Sequence, residues 1–370
     1  MYSFSDCLAH PPDDYLKNHL KTVAIANQNI WRNGSNAFTV AGILSGLLHD
    51  IGKANSWFQD RVNGKDNGRS KYSNHSLPSA IIGWYISSAI QLKGQELNKL
   101  RLSVFVSILR HHSNLKESWA DEVMLQKHRL KSSKENHSAV LNAQLNSMDL
   151  MGIEGWLNEM AKELGLPLTI PKLEPKLIAN AIISASSLRL MNSFKTLEDV
   201  IDFLGVYGGL LQFDKIHSAV GTIERKRFYL PEDSAQKYIE ECIPKESSNL
   251  AAIRNNLSVE IERELLRYSN KHFFTLTAPT GSGKTLAILN AVLKLRKNIK
   301  EKENIIPSII YCLPFTSIID QNFEVYADIL QTKDSNVLLK HHHLAEPLYK
   351  TNENIADYHK SKFLIETWQA

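Results

Sequence analysis

Five histidines and two carboxylates, His19, His49, Asp50, His75, His111, His112 and Asp214, fall in five short segments whose contexts suit metal ligation. A mixed imidazole and carboxylate set favours divalent Mn, Fe, Ni, Co or Zn over Mg or Ca, which prefer all-oxygen cages. The set is large enough for two ions. A carboxylate bridging ions about 4 Å apart would help activate a water and offset the charge of a phosphodiester in its transition state. Asp50 is the candidate bridge. Lys53, one turn further on, is placed to neutralise the phosphate or to position the attacking water, so Asp50 and Lys53 form the candidate catalytic pair.

Each ligand also has an ordinary reading. His19 shares an apolar face with Leu16 and Val23, as a hydrogen-bonded core histidine would, and His75 stands where a surface loop meets a helix start at Ser76-Leu77-Pro78. His111 and His112 are about 100° apart on a helix, so one can bind metal while the other contacts phosphate. His128, His137 and His217 lack comparable context and are read as non-ligands. The basic run Lys127, His128, Arg129, Lys131 and Lys134 reads as a solvated loop.

A second chemistry lies downstream. Ala278, Pro279, Thr280, Gly281, Ser282, Gly283, Lys284 and Thr285 form a phosphate-binding loop between an expected strand and an expected helix. Its glycines let backbone N–H groups close around phosphates, Lys284 reaches the β/γ-phosphates and Thr285 holds the Mg²⁺ of Mg-ATP. The first position is alanine where the strict pattern has glycine. Beyond it, Pro314, Thr316 and Ser317 stand where a strand passes into a helix. Hydroxyls and free N–H groups there can hold a nucleic-acid phosphate, or can simply cap the helix.

The elements follow from periodicity. Val40, Ile43, Leu44, Leu47 and Leu48 make a buried helix stripe that runs into His49-Asp50, with Gly52 available as a left-handed stop. Leu102, Phe105 and Leu109 carry His111 and His112 at the end of a second helix, and Tyr207, Leu210 and Leu211 precede Asp214 on a third. Residues 1–235 therefore read as an all-α domain. The prolines and polar cluster of 230–250 suggest a linker, placed at 236–250. Residues 251–370 alternate strand-like runs (272–276 and 305–313) with a helix over 286–295, the unit of an α/β fold with a parallel sheet.

The 370 residues allow two domains, and 43% hydrophobic with 22% charged residues is a globular composition. Three scattered cysteines, Cys7, Cys242 and Cys312, exclude a disulfide framework or a cysteine-built metal knuckle. No run approaches the ~20 apolar residues of a membrane span. A cytoplasmic protein without a membrane partner is expected. A net charge of +4 is compatible with nucleic acid and decides nothing.

Taken together, His19, His49-Asp50-Ile51-Gly52-Lys53, His75, His111-His112 and Asp214, then Thr277 to Thr285, then Leu313 to Gln321, resemble the CRISPR-associated nuclease-helicases of type I systems. The resemblance covers nearly the whole chain. It implies an HD-type metal-dependent nuclease domain joined to a partial RecA-like domain of a superfamily 2 motor. It further implies cleavage of single-stranded, R-loop-displaced DNA, with the RNA-guided surveillance complex as partner. Under it the seven histidines and aspartates are metal ligands, Lys53 is a catalytic-site lysine, 278–285 is the nucleotide site, and Pro314, Thr316 and Ser317 contact DNA. No Asp-Glu-x-His or Asp-Glu-x-Asp follows the second block, so negligible ATP hydrolysis is expected of this polypeptide. The rivals are an HD phosphohydrolase acting on nucleotides or cyclic dinucleotides, and a non-catalytic regulator that binds the surveillance complex.

Overall fold

The computed structural model describes residues 1–30, 36–65, 70–132, 136–186, 193–220, 230–242, 249–334 and 337–342. The chain divides into one unit within Met1–Ile223 and a second within Glu224–Thr351.

The first unit is organised around one apolar helix. Helix α1 spans Leu16–Ile30 and α2 spans Asn36–Leu48; α3 is Ser76–Ser87, α4 is Gly94–Arg110 and α5 is Leu197–Val220. The α2 sequence NAFTVAGILSGLL carries no charge, and a helix apolar all round must be enclosed on all sides. It is in contact with α1, α3, α4 and α5. Leu44, Leu47 and Leu48 of α2 are buried with Leu20, Ile81, Ile82, Trp84 and Phe105. Burying each such leucine or isoleucine contributes about 1.5–3 kcal/mol. The consequence for the site is directional: α2 delivers His49 and Asp50 into the interior, where its neighbours also end or cross.

Three expectations need correction here. The unit is not purely helical, because Leu8–His10 pairs antiparallel with Asp14–Tyr15 and sets His10 opposite Asp14. A ladder of three residues against two is too short to leave a period-2 trace in sequence. Gly52 is not left-handed; it lies in a 3-10 turn over Ile51–Ala54 and is absent from the positive-φ glycines. Glycine is required there by proximity, since a Cβ would stand 2.4 Å from the His75 carbonyl oxygen. Third, the basic run lies largely on a helix, Glu122–Lys131, rather than a loop, and Lys134 falls outside the described residues.

In the second unit α6 spans Ser234–Cys242, α7 Asn249–Arg267, α8 Lys284–Glu303 and α9 Thr316–Leu330. Ala235 of α6 packs with Leu289, Leu293, Tyr326 and Ile329 of α8 and α9. Much of the segment expected as a linker over 236–250 is thus a helix with a core of its own, and 243–248 lie outside the described residues. The runs expected as strands at 272–276 and 305–313 are not strands, and among the described residues the one sheet is the two-stranded ladder near the N-terminus. Phe273 and Ile310 are 94% and 77% exposed. A strand exists only where a neighbour supplies the ladder, so β-prone residues alone do not make a parallel sheet. No helix among the described residues is long and apolar enough to cross a membrane.

Candidate metal centre and phosphate loop

The α2 helix ends at Leu48, and the two residues that follow enter the core as polar side chains with no exposure: His49 and Asp50 are each 0% accessible. Around them converge His19 from the first turn of α1, His75 at the start of α3, His111 and His112 at the end of α4, and Asp214 from α5. Every ligand proposed from sequence is brought to this one place. They form two groups that share Asp50.

On one side, Asp50 Oδ1 lies 3.0 Å from His75 Nε2 and 3.2 Å from His111 Nε2, and His75 Nε2 lies 2.9 Å from His112 Nε2. On the other, His19 Nε2 and His49 Nε2 are 3.0 Å apart. Each is 3.6 Å from Asp50 Oδ2, and they stand 3.3 and 3.4 Å from Asp214 Oδ1. Ligand bonds of about 2.0–2.1 Å place neighbouring donors about 3.0–3.4 Å apart, so both groups have the dimensions of a coordination shell. The donor chemistry fits too. Asp50 Oδ2 is buried and accepts no well-aligned hydrogen bond, although Lys53 Nζ is 2.7 Å away. A buried carboxylate oxygen needs an opposing positive charge, which Lys53 or a bound cation can supply.

Backbone contacts orient the rings. His49 Nδ1 donates to the Gly46 carbonyl at 2.9 Å and His111 Nδ1 to the Ile108 carbonyl at 2.6 Å, which turns each Nε2 lone pair inward. Lys53 is 4% exposed and its Nζ also reaches the Ala9 carbonyl at 3.3 Å.

The charges are set by competition. Burial pushes the Asp50 carboxyl up, but Lys53, His49 and His75 outweigh it and hold the group well below the usual carboxylate range. Asp214 is likewise raised by burial and then held well below that range by hydrogen bonds from His19 and His49. Burial lowers His19 and His75 and keeps these rings neutral, as ligation requires. His49 differs: burial lowers it, yet Asp50 and Asp214 together raise it. Asp50, Asp214 and Lys53 together contribute one net negative charge, which favours cations.

In the second unit the loop preceding α8 has the backbone that a phosphate cradle needs. Gly281 and Gly283 have φ of 78° and 80°, a region open mainly to glycine, and α8 begins at Lys284. Lys284 Nζ is held at 2.8 Å by the carbonyls of Ala278 and Pro279, and Arg254 of α7 donates through Nε and Nη2 to the Gly281 carbonyl. Ser282 is buried with its hydroxyl unpartnered. Pro314 precedes α9, which begins at Thr316, and the N-cap residue Phe315 makes no side-chain capping hydrogen bond.

With two such sites described, the comparisons with known proteins can be read. The chain is similar to Cas3. The similar protein is the CRISPR-associated nuclease/helicase Cas3 of Haloferax volcanii, 23% identical over 364 residues, covering 87% of this chain and 37% of that protein. The chain therefore spans little more than a third of that relative's length. Residues 237–370, which include the phosphate loop, match the family described as type III restriction enzyme, res subunit. No solved structure matches the chain. The expectation that ATP turnover is absent finds no support in either likeness, since one of them covers the whole stretch around the loop.

Sequence reasoning missed the residues behind the candidate metal centre. His217, read as a non-ligand, is 9% exposed with Nδ1 2.8 Å from His19 Nδ1. His10 Nδ1 pairs with Asp14 Oδ2 at 2.9 Å, and His10, Asp14 and His19 form a third cluster of potential donors. A signal for His217 existed: it follows Asp214 by three positions on a helix, which places both on one face. Nothing in the sequence marked His10 or Asp14.

Proposed function

We propose that this chain carries a metal-dependent endonuclease that cuts single-stranded DNA displaced by the RNA-guided surveillance complex of a type I CRISPR system, beside an ATP-binding motor segment. The observation that supports it most is the position of Asp50, whose two oxygens face two separate sets of histidines. Divalent transition-metal ions bound there would acidify a water and offset phosphodiester charge. Asp50 would hold both ions at a fixed separation, with His75, His111 and His112 on the Oδ1 side and His19, His49 and Asp214 on the other. Lys53 would meet the non-bridging phosphate oxygens as negative charge accumulates on them, and its burial would strengthen that interaction.

The loop at 278–285 would bind the phosphates of Mg-ATP through its backbone N–H groups, with Lys284 exchanging its two carbonyl partners for phosphate oxygens and Thr285 on Mg²⁺. Pro314, Thr316 and Ser317 would bring α9 against the DNA backbone. A nucleotide phosphohydrolase has no need for that second segment.

The test is incubation with Mn²⁺ or Ni²⁺ and either circular single-stranded DNA or deoxynucleoside triphosphates, with Asp50→Ala alongside. Linear products from the wild type and none from the variant are expected. Cleavage of the nucleotides with the circle left intact would sink the reading, and products unchanged in Asp50→Ala would assign the cutting to a contaminant.

A further inference from the structure

A ligating imidazole needs its second nitrogen tied down, because that contact sets both the tautomer and the direction of the ring. His49 and His111 obtain this from the carbonyls three residues earlier on their own helices, Gly46 and Ile108. His19 cannot. It lies in the first turn of α1, three residues after Leu16, and its Nδ1 points away from its own helix toward α5. There it meets one group at hydrogen-bond distance, His217 Nδ1 at 2.8 Å, with Asp14 Oδ2 behind at 3.8 Å from His19 and 4.0 Å from His217.

Ligation fixes how the protons must lie. If Nε2 of His19 gives its lone pair to an ion, Nδ1 keeps the hydrogen and must donate it. His217 can accept only with a bare Nδ1, so its own proton then sits on Nε2. Two nitrogens 2.8 Å apart hold one hydrogen between them, and metal binding decides which ring owns it.

We propose that His217 is a positioning residue that holds His19 as a ligand on the Oδ2 side of Asp50, with Asp14 supplying negative charge behind the pair. It rests on the two-ion reading given above and extends it to a residue that no ligand pattern includes. The same α5 helix then serves the centre twice, Asp214 as ligand and His217 three residues on as the support of a second ligand. His217 acts on one side of the centre only, because none of His75, His111 and His112 is among its partners. The effect of removing it should therefore be lopsided.

The experiment measures Mn²⁺ or Co²⁺ binding to the full chain by equilibrium dialysis, with anomalous diffraction from soaked crystals to place the ions. It compares the wild type with His217→Leu, His217→Asn and His19→Ala, after thermal melts in EDTA show which variants are folded. Wild type is expected to bind two ions and His19→Ala to lose the Oδ2-side ion. His217→Leu should bind that ion roughly 10–100-fold more weakly, the usual effect of losing an outer contact, while the Oδ1-side ion keeps its affinity. His217→Asn places an acceptor oxygen near the position of Nδ1 and should recover most of the loss. Should His217→Leu not fold, the comparison passes to His217→Gln, whose oxygen reaches too far and should bind as weakly as leucine would.

Two ions held with unchanged affinity in His217→Leu would overturn the proposal and leave the two-ion reading standing. So would His217→Asn binding as weakly as His217→Gln. A third ion in wild type among His10, Asp14 and His19 would also overturn it, since Nδ1 of His19 would then be a ligand. A wild type that binds no ion on the Oδ2 side would remove the two-ion reading itself, and the proposal with it.

Discussion

Lys53 Nζ stands 2.7 Å from Asp50 Oδ2, the same oxygen that His19 and His49 face at 3.6 Å. An ammonium therefore occupies one edge of the position where a cation would be held, and it neutralises Asp50 from within the core. Lys53→Met should expose this dual use. Breaking a buried pair by removing one partner costs about 3–5 kcal/mol, and the neighbouring histidines should bring the loss to the lower end. The metal-free variant is expected to melt several degrees lower, with most of the deficit recovered on adding Mn²⁺. Thermal melts with and without EDTA measure it; an equal deficit in both would mean that Lys53 and a metal ion do not share a function at Asp50.

The pH dependence of the metal-free protein has a definite sign. Asp50 and Asp214 have folded values below the carboxylate value of 3.8, so the unfolded chain binds protons first as pH falls. The stability they contribute is present above about 4 and is lost as pH drops through their folded values. His19 and His75 are also lowered, from 6.5, so folding opposes their protonation and stability declines as pH falls below that value; His49, raised, opposes part of this. Urea midpoints in EDTA should fall from pH 7 to 5 and fall again below 4. With Mn²⁺ present, the decline between 7 and 5 should steepen, because protons then compete with the ions for the rings. A flat midpoint from pH 7 to 5 in EDTA would contradict these charge states.

What the sequence disclosed divides by the range of the interaction. His49-Asp50 and His111-His112 were legible because each sits at the end of an apolar helix, and a local stripe predicts both the helix and the burial of its end. His75 was legible from the helix start after it. His217 showed only its spacing from Asp214, because its meaning lies in His19, 198 positions away. Gly52 showed its type but not its reason, since the tight contact is with His75 in another segment. The strand-like runs near 272–276 and 305–313 show the opposite failure: local propensity was clear, but pairing is a property of neighbours and not of the run itself.

Lys284 offers a test that separates the two units. Its amine is held by the Ala278 and Pro279 carbonyls inside the glycine turn. Lys284→Ala should weaken binding of a fluorescent ATP analogue at least about tenfold, as expected when the residue that reaches the β/γ-phosphates is lost. Metal stoichiometry and metal-dependent nicking of single-stranded DNA without ATP should be unchanged. Loss of nicking in the absence of ATP would show that the nuclease depends on the loop, and the assignment of separate roles would fail.

Gly52→Ala probes the spacing on which the Oδ1 side depends. The turn Ile51–Ala54 lies against the start of α3, where Gly52 N–H donates to Ser79 Oγ at 2.8 Å and a Cβ would meet the His75 carbonyl at 2.4 Å, Ser79 Oγ at 2.9 Å and Pro78 Cγ at 3.0 Å. The first of these is backbone at a helix start and cannot swing aside as a side chain could. The variant must move α3 away from the turn, and overpacking of this kind costs about 1–3 kcal/mol. The displaced residue is His75 itself, whose Nε2 is 3.0 Å from Asp50 Oδ1. An outward shift of even half an ångström would be significant against ligand bonds that vary by about 0.2 Å. Gly52→Ala should therefore weaken the ion on the Oδ1 side and leave that on the Oδ2 side, the reverse of the effect expected for His217→Leu. Metal binding to the two variants, measured together, distinguishes a centre with two separately supported halves from one that loses both ions whenever either support is disturbed.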